Sequence, residues 1–311
     1  MGLLEGKIAI VTGAGRGIGR EEALLMASEG ATILVNDVGA STAGEGSDQS
    51  PAEQVVQEIE KLGGTAAPDY TNVASFAETE QMIRGAIDRF GRLDIVVNNA
   101  GILRDRMLVN MSEEEWDAVM AVHLKGTFNC AKHAAAYWRE LSKAGEDVRG
   151  RIINTSSPSG LYGNVGQSNY GAAKAGIAAF TVIAAQELKR YGVTVNAISP
   201  SARTRMTQQA FGEIAPPDEG FDPFGPENIA PIVAYLATDD AAGITGQVFG
   251  VQGGSISLLQ GWVPSKVIRK EETWEPAELM DAIEELVPGK QIEPDPMSAR
   301  LAAGQASLRQ S

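Results

Sequence analysis

The chain has 311 residues, 43% of them hydrophobic, and 40 acidic against 26 basic side chains give a formal charge of −14. That balance speaks against nucleic acid or an anionic membrane as partner, and no apolar run nears the ~20 residues that a membrane span needs. One cysteine, Cys130, excludes an internal disulfide and no Cys/His cluster suggests a metal; without a signal-peptide pattern or a Ser-Lys-Leu ending, the expected location is cytoplasmic.

Lys7-Ile-Ala-Ile-Val-Thr12 reads as a short buried strand running into Gly13-Ala-Gly-Arg-Gly-Ile-Gly19 and then a helix, Arg20 to Glu29. Strand, glycine turn and helix is the context that makes a dinucleotide site credible. Gly13, Gly17 and Gly19 let backbone approach a pyrophosphate, and the helix start at Ile18 offers free N–H groups and partial positive charge. The next strand, Ala31 to Asp37, ends on the carboxylate that a doubly wound fold uses to accept from the ribose hydroxyls of NAD. Asp37 would repel the 2′-phosphate of NADP, whereas Arg16 would attract it. The carboxylate is expected to win, so the expected cofactor is NAD. The competing reading of Asp37 is a turn cap before Gly39.

After a Gly/Ser/Ala-rich loop (39–50) the spacing predicts a helix over Pro51–Leu62, a strand over Thr65–Asp69, a helix over Phe76–Phe90 and a strand over Asp94–Asn98. The two amides Asn98 and Asn99 at a sheet edge can bond neighbouring strands, and the small Ala100-Gly101 pair admits a ribose. Ser112 with Glu115 forms a capping-box pattern that opens one helix expected to reach Trp138. Alternation continues to about residue 255. The expected architecture is therefore α/β: a single doubly wound (Rossmann) parallel sheet with helices on both faces over residues 1–260, plus an extension, 261–311, with one short helix at 275–286. Residues 199–226, rich in Pro, Gly and Phe (Phe211, Phe221, Phe224), are expected to form a loop that lids an apolar ligand. Pro294, Pro296 and the Ala/Gln/Ser end read as loosely ordered.

Tyr170 and Lys174 stand four apart in Tyr-Gly-Ala-Ala-Lys, on one side of a helix. A phenol with a pKa near ~10 becomes a useful base only when a cation favours its anion. Ser157, thirteen residues upstream, can hydrogen-bond the same substrate oxygen. That set moves a proton on and off an alcohol or ketone. No Gly-x-Ser-x-Gly elbow surrounds Ser157, which argues against a serine hydrolase.

Thr12-Gly-x-x-x-Gly-x-Gly19, Asn98-Asn-Ala-Gly101, the Ser157/Tyr170/Lys174 set and Asn196-Ala-Ile-Ser-Pro200, in this order, resemble the short-chain dehydrogenase/reductase family over about residues 5 to 260. The resemblance implies catalysis by Ser157, Tyr170 and Lys174, with the two latter also touching the cofactor. It further implies an adenine edge at Asp69 and Tyr70, cofactor contacts at Asn99, Ala100 and Gly101, and a nicotinamide carboxamide contact at Thr204. His123 stands where the family mostly has an asparagine that holds a relay water; a histidine there could titrate near neutrality. His123, Val35-Asn-Asp-Val-Gly39, Ala100 to Arg106 and Gly160 to Gln167 together resemble one subgroup, the (3R)-hydroxyacyl-CoA dehydrogenase domain of the type 2 multifunctional enzyme of β-oxidation and its free-standing bacterial relatives. The implied substrate is a 3-hydroxyacyl-CoA thioester, with Arg104, Arg106, Arg203 and Arg205 as candidate cations, and the implied assembly is a homodimer or homotetramer. The rivals are a 3-oxoacyl-[acyl-carrier-protein] reductase or hydroxysteroid dehydrogenase and, from another class, a non-catalytic NAD-binding module.

Overall fold

A computed structural model describes residues 2–212 and 215–290, with 294, 295, 297 and 299. Eight strands form one sheet: β1 (Ile8–Thr12), β2 (Thr32–Asn36), β3 (Thr65–Asp69), β4 (Ile95–Asn98), β5 (Arg151–Thr155), β6 (Thr194–Pro200), β7 (Val248–Gln252) and β8 (Ser255–Leu259), in the order β3-β2-β1-β4-β5-β6-β7-β8. The pairs from β3 through β7 are all parallel, which buries strands on both faces and explains their nearly continuous apolar runs. The order reverses between β1 and β4, and in open α/β sheets the crevice at the carboxyl ends of such strands holds the ligand.

Alternate side chains of each strand feed two cores. Val11, Ile33, Val35, Ile95, Val97, Ile153 and Ile198 pack with helices α1 (Gly17–Ser28) and α2 (Ser50–Lys61), through Met26 and Ile59. Ile10, Leu34, Val96, Ile152 and Val195 pack against α3 (Phe76–Phe90) and, beyond α4 (Glu113–Met120), against α5 (Gly126–Lys143). Ser75 caps α3 and Gly91, at φ 86°, ends it in the left-handed conformation that glycine tolerates. The short α6 (Pro158–Tyr162) and the long α7 (Ser168–Leu188) follow β5, and α8 (Arg205–Phe211) and α9 (Ala230–Leu236) follow β6.

Two expectations need correction. The helix opened by the Ser112/Glu115 capping box is not one helix to Trp138: a π-helical turn, Ala121–Lys125, interrupts it at His123, and α5 then continues to Lys143. The lid segment is not all loop, because Thr204 and Thr207 cap each other reciprocally and start α8. The side chain of Phe211 lies outside the described residues; Phe221 is exposed.

The chain divides into two compact units at Leu258/Leu259. Within the second, α10 (Pro276–Leu286) opens on a capping box between Glu275 and Glu278 and is tied by Lys270 to Glu278. Leu279, Ala282, Ile283 and Leu286 are its half-buried residues. Pro296 and the Ala/Gln/Ser end lie outside the described residues. No helix among those described is long and apolar enough to cross a membrane.

Candidate active site

The carboxyl ends of β1 and β4 are stitched by side chains. The Thr12 hydroxyl accepts from the backbone N–H groups of Asn99 (3.0 Å) and Ala100 (3.1 Å) and donates to the Val97 carbonyl (3.2 Å). The Asn99 amide donates to the carbonyls of Thr12 and Gly13 at 3.0 and 3.1 Å. Next door, Asn98 donates to Asn154, which donates to the Thr181 hydroxyl of α7, so buried amides tie three elements. Glycine is required at Gly13, where φ is 64° and a Cβ would lie 2.8 Å from Ala100 Cα, and at Gly19, where it would lie 2.4 Å from the Gly13 carbonyl oxygen. The following helix α1 has no side-chain cap on its first N–H groups. A helix start in this condition, opening on a cleft, suits a phosphate or diphosphate.

Gly13, Arg16, Gly17, Ile18, Asp37, Tyr70, Asn99, Ala100, Gly101, His123, Tyr170, Lys174 and Thr204 all line that cleft, whose volume is about 740 Å³. Gly19, Asp69 and Ser157 do not. The Asp37 carboxylate accepts from Gly15 N–H at 2.8 Å and Gly39 N–H at 2.6 Å, capping the loops, and the residue borders the cleft. Arg16 has Asp48 at 3.9 Å.

At the other end α7 presents Tyr170 and Lys174. The Lys174 ammonium donates to the Thr155 carbonyl at 2.6 Å and lies 5.6 Å from the centre of the Tyr170 ring. Ser157 caps α6, accepting from Ser159 N–H at 3.2 Å, and its hydroxyl bonds the phenol. The expected lowering of the phenol's pKa by the lysine is absent from the chain by itself. Burial pushes Tyr170 up to about 12, opposed by the Ser157 bond and assisted by the charge of Asp105. Burial also pushes Lys174 down to about 7, so its own charge is weakly held.

His123 is buried at the π turn, its ring edge-on to Tyr170 at 5.2 Å, with Nε2 within 3.0 Å of Ile102 N and 2.8 Å of Ile102 O. Burial, then the charge of Lys174, drives its pKa to about 3, which overturns the expectation of titration near neutrality. Its Nδ1, like the Thr155 hydroxyl, is buried without a partner, and both residues border the cleft. A Cβ on Gly101 would lie 2.3 Å from the His123 ring, so this glycine makes room for the imidazole.

Asp69 does not line the cleft itself; its Oδ1 accepts from the Asn36 amide (2.7 Å) and Thr71 N–H (3.0 Å). Tyr70 borders the cleft and donates to Glu53 at 3.0 Å, and Thr71, Asn72 and Val73, which sequence reasoning passed over, border it too. The Thr204 hydroxyl accepts from Thr207 N–H at 3.2 Å, so it works first as the cap of α8. The loop expected merely to follow Asp37 instead crosses the cleft as a strap, with the Thr42 and Ala43 carbonyls accepting from Leu103 N–H and the Arg104 guanidinium at 2.8 Å each. Three of the four arginines considered for a thioester's phosphates are neutralised within the chain: Arg104 by Glu45 at 3.4 Å, Arg106 by Glu115 at 3.0 Å and Arg203 by Asp222. Among the described residues no cluster of His, Cys, Asp and Glu could hold a metal.

Comparison with known proteins agrees with this geometry. A family model described as "short chain dehydrogenase" matches residues 7–214. The chain is 45% identical over 298 residues to "Hydroxyacyl-CoA dehydrogenase ChsB1" of Mycobacterium tuberculosis, covering 93% of this chain and 91% of that protein. It is 48% identical over 258 residues to "Peroxisomal multifunctional enzyme type 2" of Drosophila melanogaster, covering 83% of this chain but only 40% of that longer protein. The crystal structure of a short chain dehydrogenase from Mycobacterium avium superposes with a TM-score of 0.84 at 52% identity, covering 95% of this chain and 99% of that one. Members of this family bind a nicotinamide dinucleotide, and the uncapped α1 and close-packed glycine loop fit one. The chain belongs to the short chain dehydrogenase family and is an oxidoreductase that acts on CH–OH groups.

Proposed function

We propose that the chain transfers a hydride between NAD and the 3-position of a (3R)-3-hydroxyacyl-CoA, the chemistry of fatty or steroid side-chain β-oxidation. One observation carries the reading: Tyr170, bonded by Ser157, and Lys174 stand at one end of a cleft whose other parts include an uncapped helix start and Asp37. The substrate class is supported by the name of the M. tuberculosis relative, matched over 91% of its length.

NAD, when bound, supplies the hydride acceptor. The loop Gly13 to Gly19, with Arg16 and the α1 start at Ile18, is assigned the diphosphate. The lone pairs of Asp37 not used by Gly15 and Gly39 are assigned the adenosine ribose. Tyr70 is assigned the adenine side with Asn72 and Val73, and Asp69 acts behind them by fixing the turn through Thr71. Asn99, Ala100 and Gly101 border the second ribose, and Thr204 the carboxamide. Tyr170 takes the hydroxyl proton. Its pKa of about 12 must fall for this, and an opposite charge within roughly 4–6 Å lowers such a value by about 1–3 units. Lys174 is the cation at hand, and ribose hydroxyls that accept from it would stabilise its charged form. Ser157 bonds the substrate oxygen as the proton leaves. General base catalysis of this kind contributes roughly 10²–10⁴-fold, and positioning supplies more. His123, neutral and with Nδ1 unpartnered, is assigned a relay water beside Lys174.

Asp37 supports NAD over NADP, because its charge would face a 2′-phosphate. Arg16, with its carboxylate partner only at 3.9 Å, favours the second reading, an NADPH-dependent 3-oxoacyl-[acyl-carrier-protein] reductase. The pairing of Arg104, Arg106 and Arg203 with carboxylates weighs against the basic docking patch such an enzyme wants. Residues 1–260 are assigned the whole activity and 261–311 no catalytic part. A cytoplasmic homodimer or homotetramer is proposed, formed through α5 and α7, where Phe128, Val182 and Ile183 are exposed. The test is a turnover screen of 3-hydroxyacyl-CoAs of varied length, hydroxysteroids and simple secondary alcohols, each with NAD and with NADP, and of 3-oxoacyl carrier-protein thioesters with NADH and with NADPH. Turnover of the acyl-CoAs with NAD supports the reading. Activity confined to NADPH and carrier-protein thioesters favours the second, and no activity with any substrate returns the chain to a non-catalytic module.

A further inference from the structure

Arg205 differs from the other arginines near the substrate side. It is exposed, it is the first residue of α8, and it lines the same cleft as Arg16, the residue before α1. Thr204, immediately before it, holds its methyl 3.5 Å from where a Cβ on Gly17 would lie, so α8 begins directly over the first turn of α1. Among the described residues no carboxylate lies within ion-pair distance of Arg205, and Arg16 reaches only Asp48, at 3.9 Å. Arg205 is close enough to Arg16 and Asp37 to feel both charges: Arg16 disfavours its protonated form after burial has done so, and Asp37 favours it. Two like charges held together above an uncapped helix start, in a chain with acids in excess, leave a local hole for an anion.

We propose that Arg205, with Arg16, bonds the diphosphate of the bound dinucleotide. Guanidinium suits this part because its planar fork bonds phosphate oxygens in pairs. A bond between the side chains of Thr42 and Gln209 joins the strap to α8 and so helps to hold the helix that Arg205 begins. The inference rests on the dinucleotide reading above.

The test is titration of NADH and NADPH into wild type, Arg205→Gln and Arg205→Lys, followed by ligand fluorescence, with unfolding midpoints taken without ligand. The diphosphate is common to both cofactors, so Arg205→Gln should weaken both alike, by roughly tenfold, the effect of one partly exposed charge-assisted bond. Arg205→Lys should recover part of the loss. The ligand-free midpoint should not move, since the exposed guanidinium holds no carboxylate in the fold. Unchanged binding of both dinucleotides overturns the proposal, and so does a loss confined to NADPH, which would put Arg205 on the 2′-phosphate. Failure of the wild type to bind either one would remove the dinucleotide reading itself, a result distinguishable from failure of the Arg205 contact.

Discussion

Replacing Lys174 by Met should stabilise the ligand-free protein near neutrality while abolishing turnover. The ammonium is buried at 3% exposure, and burial lowers its pKa from 10.5 to about 7. The unfolded chain keeps that proton up to about pH 10.5 while the folded chain releases it near 7, so wild-type stability rises with pH across this window. One pKa unit is worth about 1.36 kcal/mol. The buried charge therefore costs about 4 kcal/mol near pH ~7 and about 2 kcal/mol near pH ~9. Met fills a similar volume but forfeits the bond to the Thr155 carbonyl and leaves that oxygen unpaired, a loss of roughly 2 kcal/mol. The net expectation is a variant about 2 kcal/mol more stable at pH ~7 and about equal at pH ~9. Urea unfolding of both proteins at the two pH values measures it. The change in ΔΔG between them is the diagnostic, because the lost hydrogen bond contributes equally at both. A ΔΔG independent of pH would refute the claim that this lysine sits near 7.

Three further outcomes are expected. Asp37→Asn should raise the ratio of kcat/KM for NADPH over NADH by about tenfold or more, since it removes the charge facing a 2′-phosphate; an unchanged ratio would detach Asp37 from cofactor choice. Glu22, fully buried with both oxygens unpartnered, is pushed from 4.5 to about 8 by burial alone. The unfolded chain ionises first, so the wild type loses stability as pH rises from about 4.5 to about 8, and Glu22→Gln should be about 3 kcal/mol more stable near pH ~7 with the gain fading towards pH ~5; a gain that does not fade in acid contradicts this. Ile183→Asp, at a site 55% exposed on α7, should dissociate the proposed homo-oligomer in light scattering after gel filtration, and an unaltered mass would move the interface elsewhere.

Much of the sheet and the chemical end of the cleft was legible in the sequence, for definite reasons. Parallel strands buried on both faces leave apolar runs such as Lys7 to Thr12, and a glycine loop has few other uses between a strand and a helix. Tyr170 and Lys174 announce themselves by helical spacing. The π turn at His123 was invisible, because one extra residue in a helix leaves no composition signal. What the Asp69 carboxylate does within the chain was equally hidden: it accepts from the Asn36 amide and Thr71 N–H, partners that no local spacing announces. The strap over 39–49 was read as a plain loop because glycine and serine report freedom of backbone and not where the backbone goes. Which of the candidate arginines are paired was not legible either, since Glu45, Glu115 and Asp222 meet Arg104, Arg106 and Arg203 only through the fold. The pKa values of about 12 and about 7 come from burial, which spacing cannot show.

The most direct test mixes the protein with NAD and a (3R)-3-hydroxyacyl-CoA and follows NADH formation, beside Tyr170→Phe. The wild type should form NADH, and the variant, which keeps the ring but not the proton-accepting oxygen, should lose more than about 100-fold in kcat while still binding NADH. A variant that turns over within threefold of the wild type would remove the phenol from the chemistry and contradict the account at its centre.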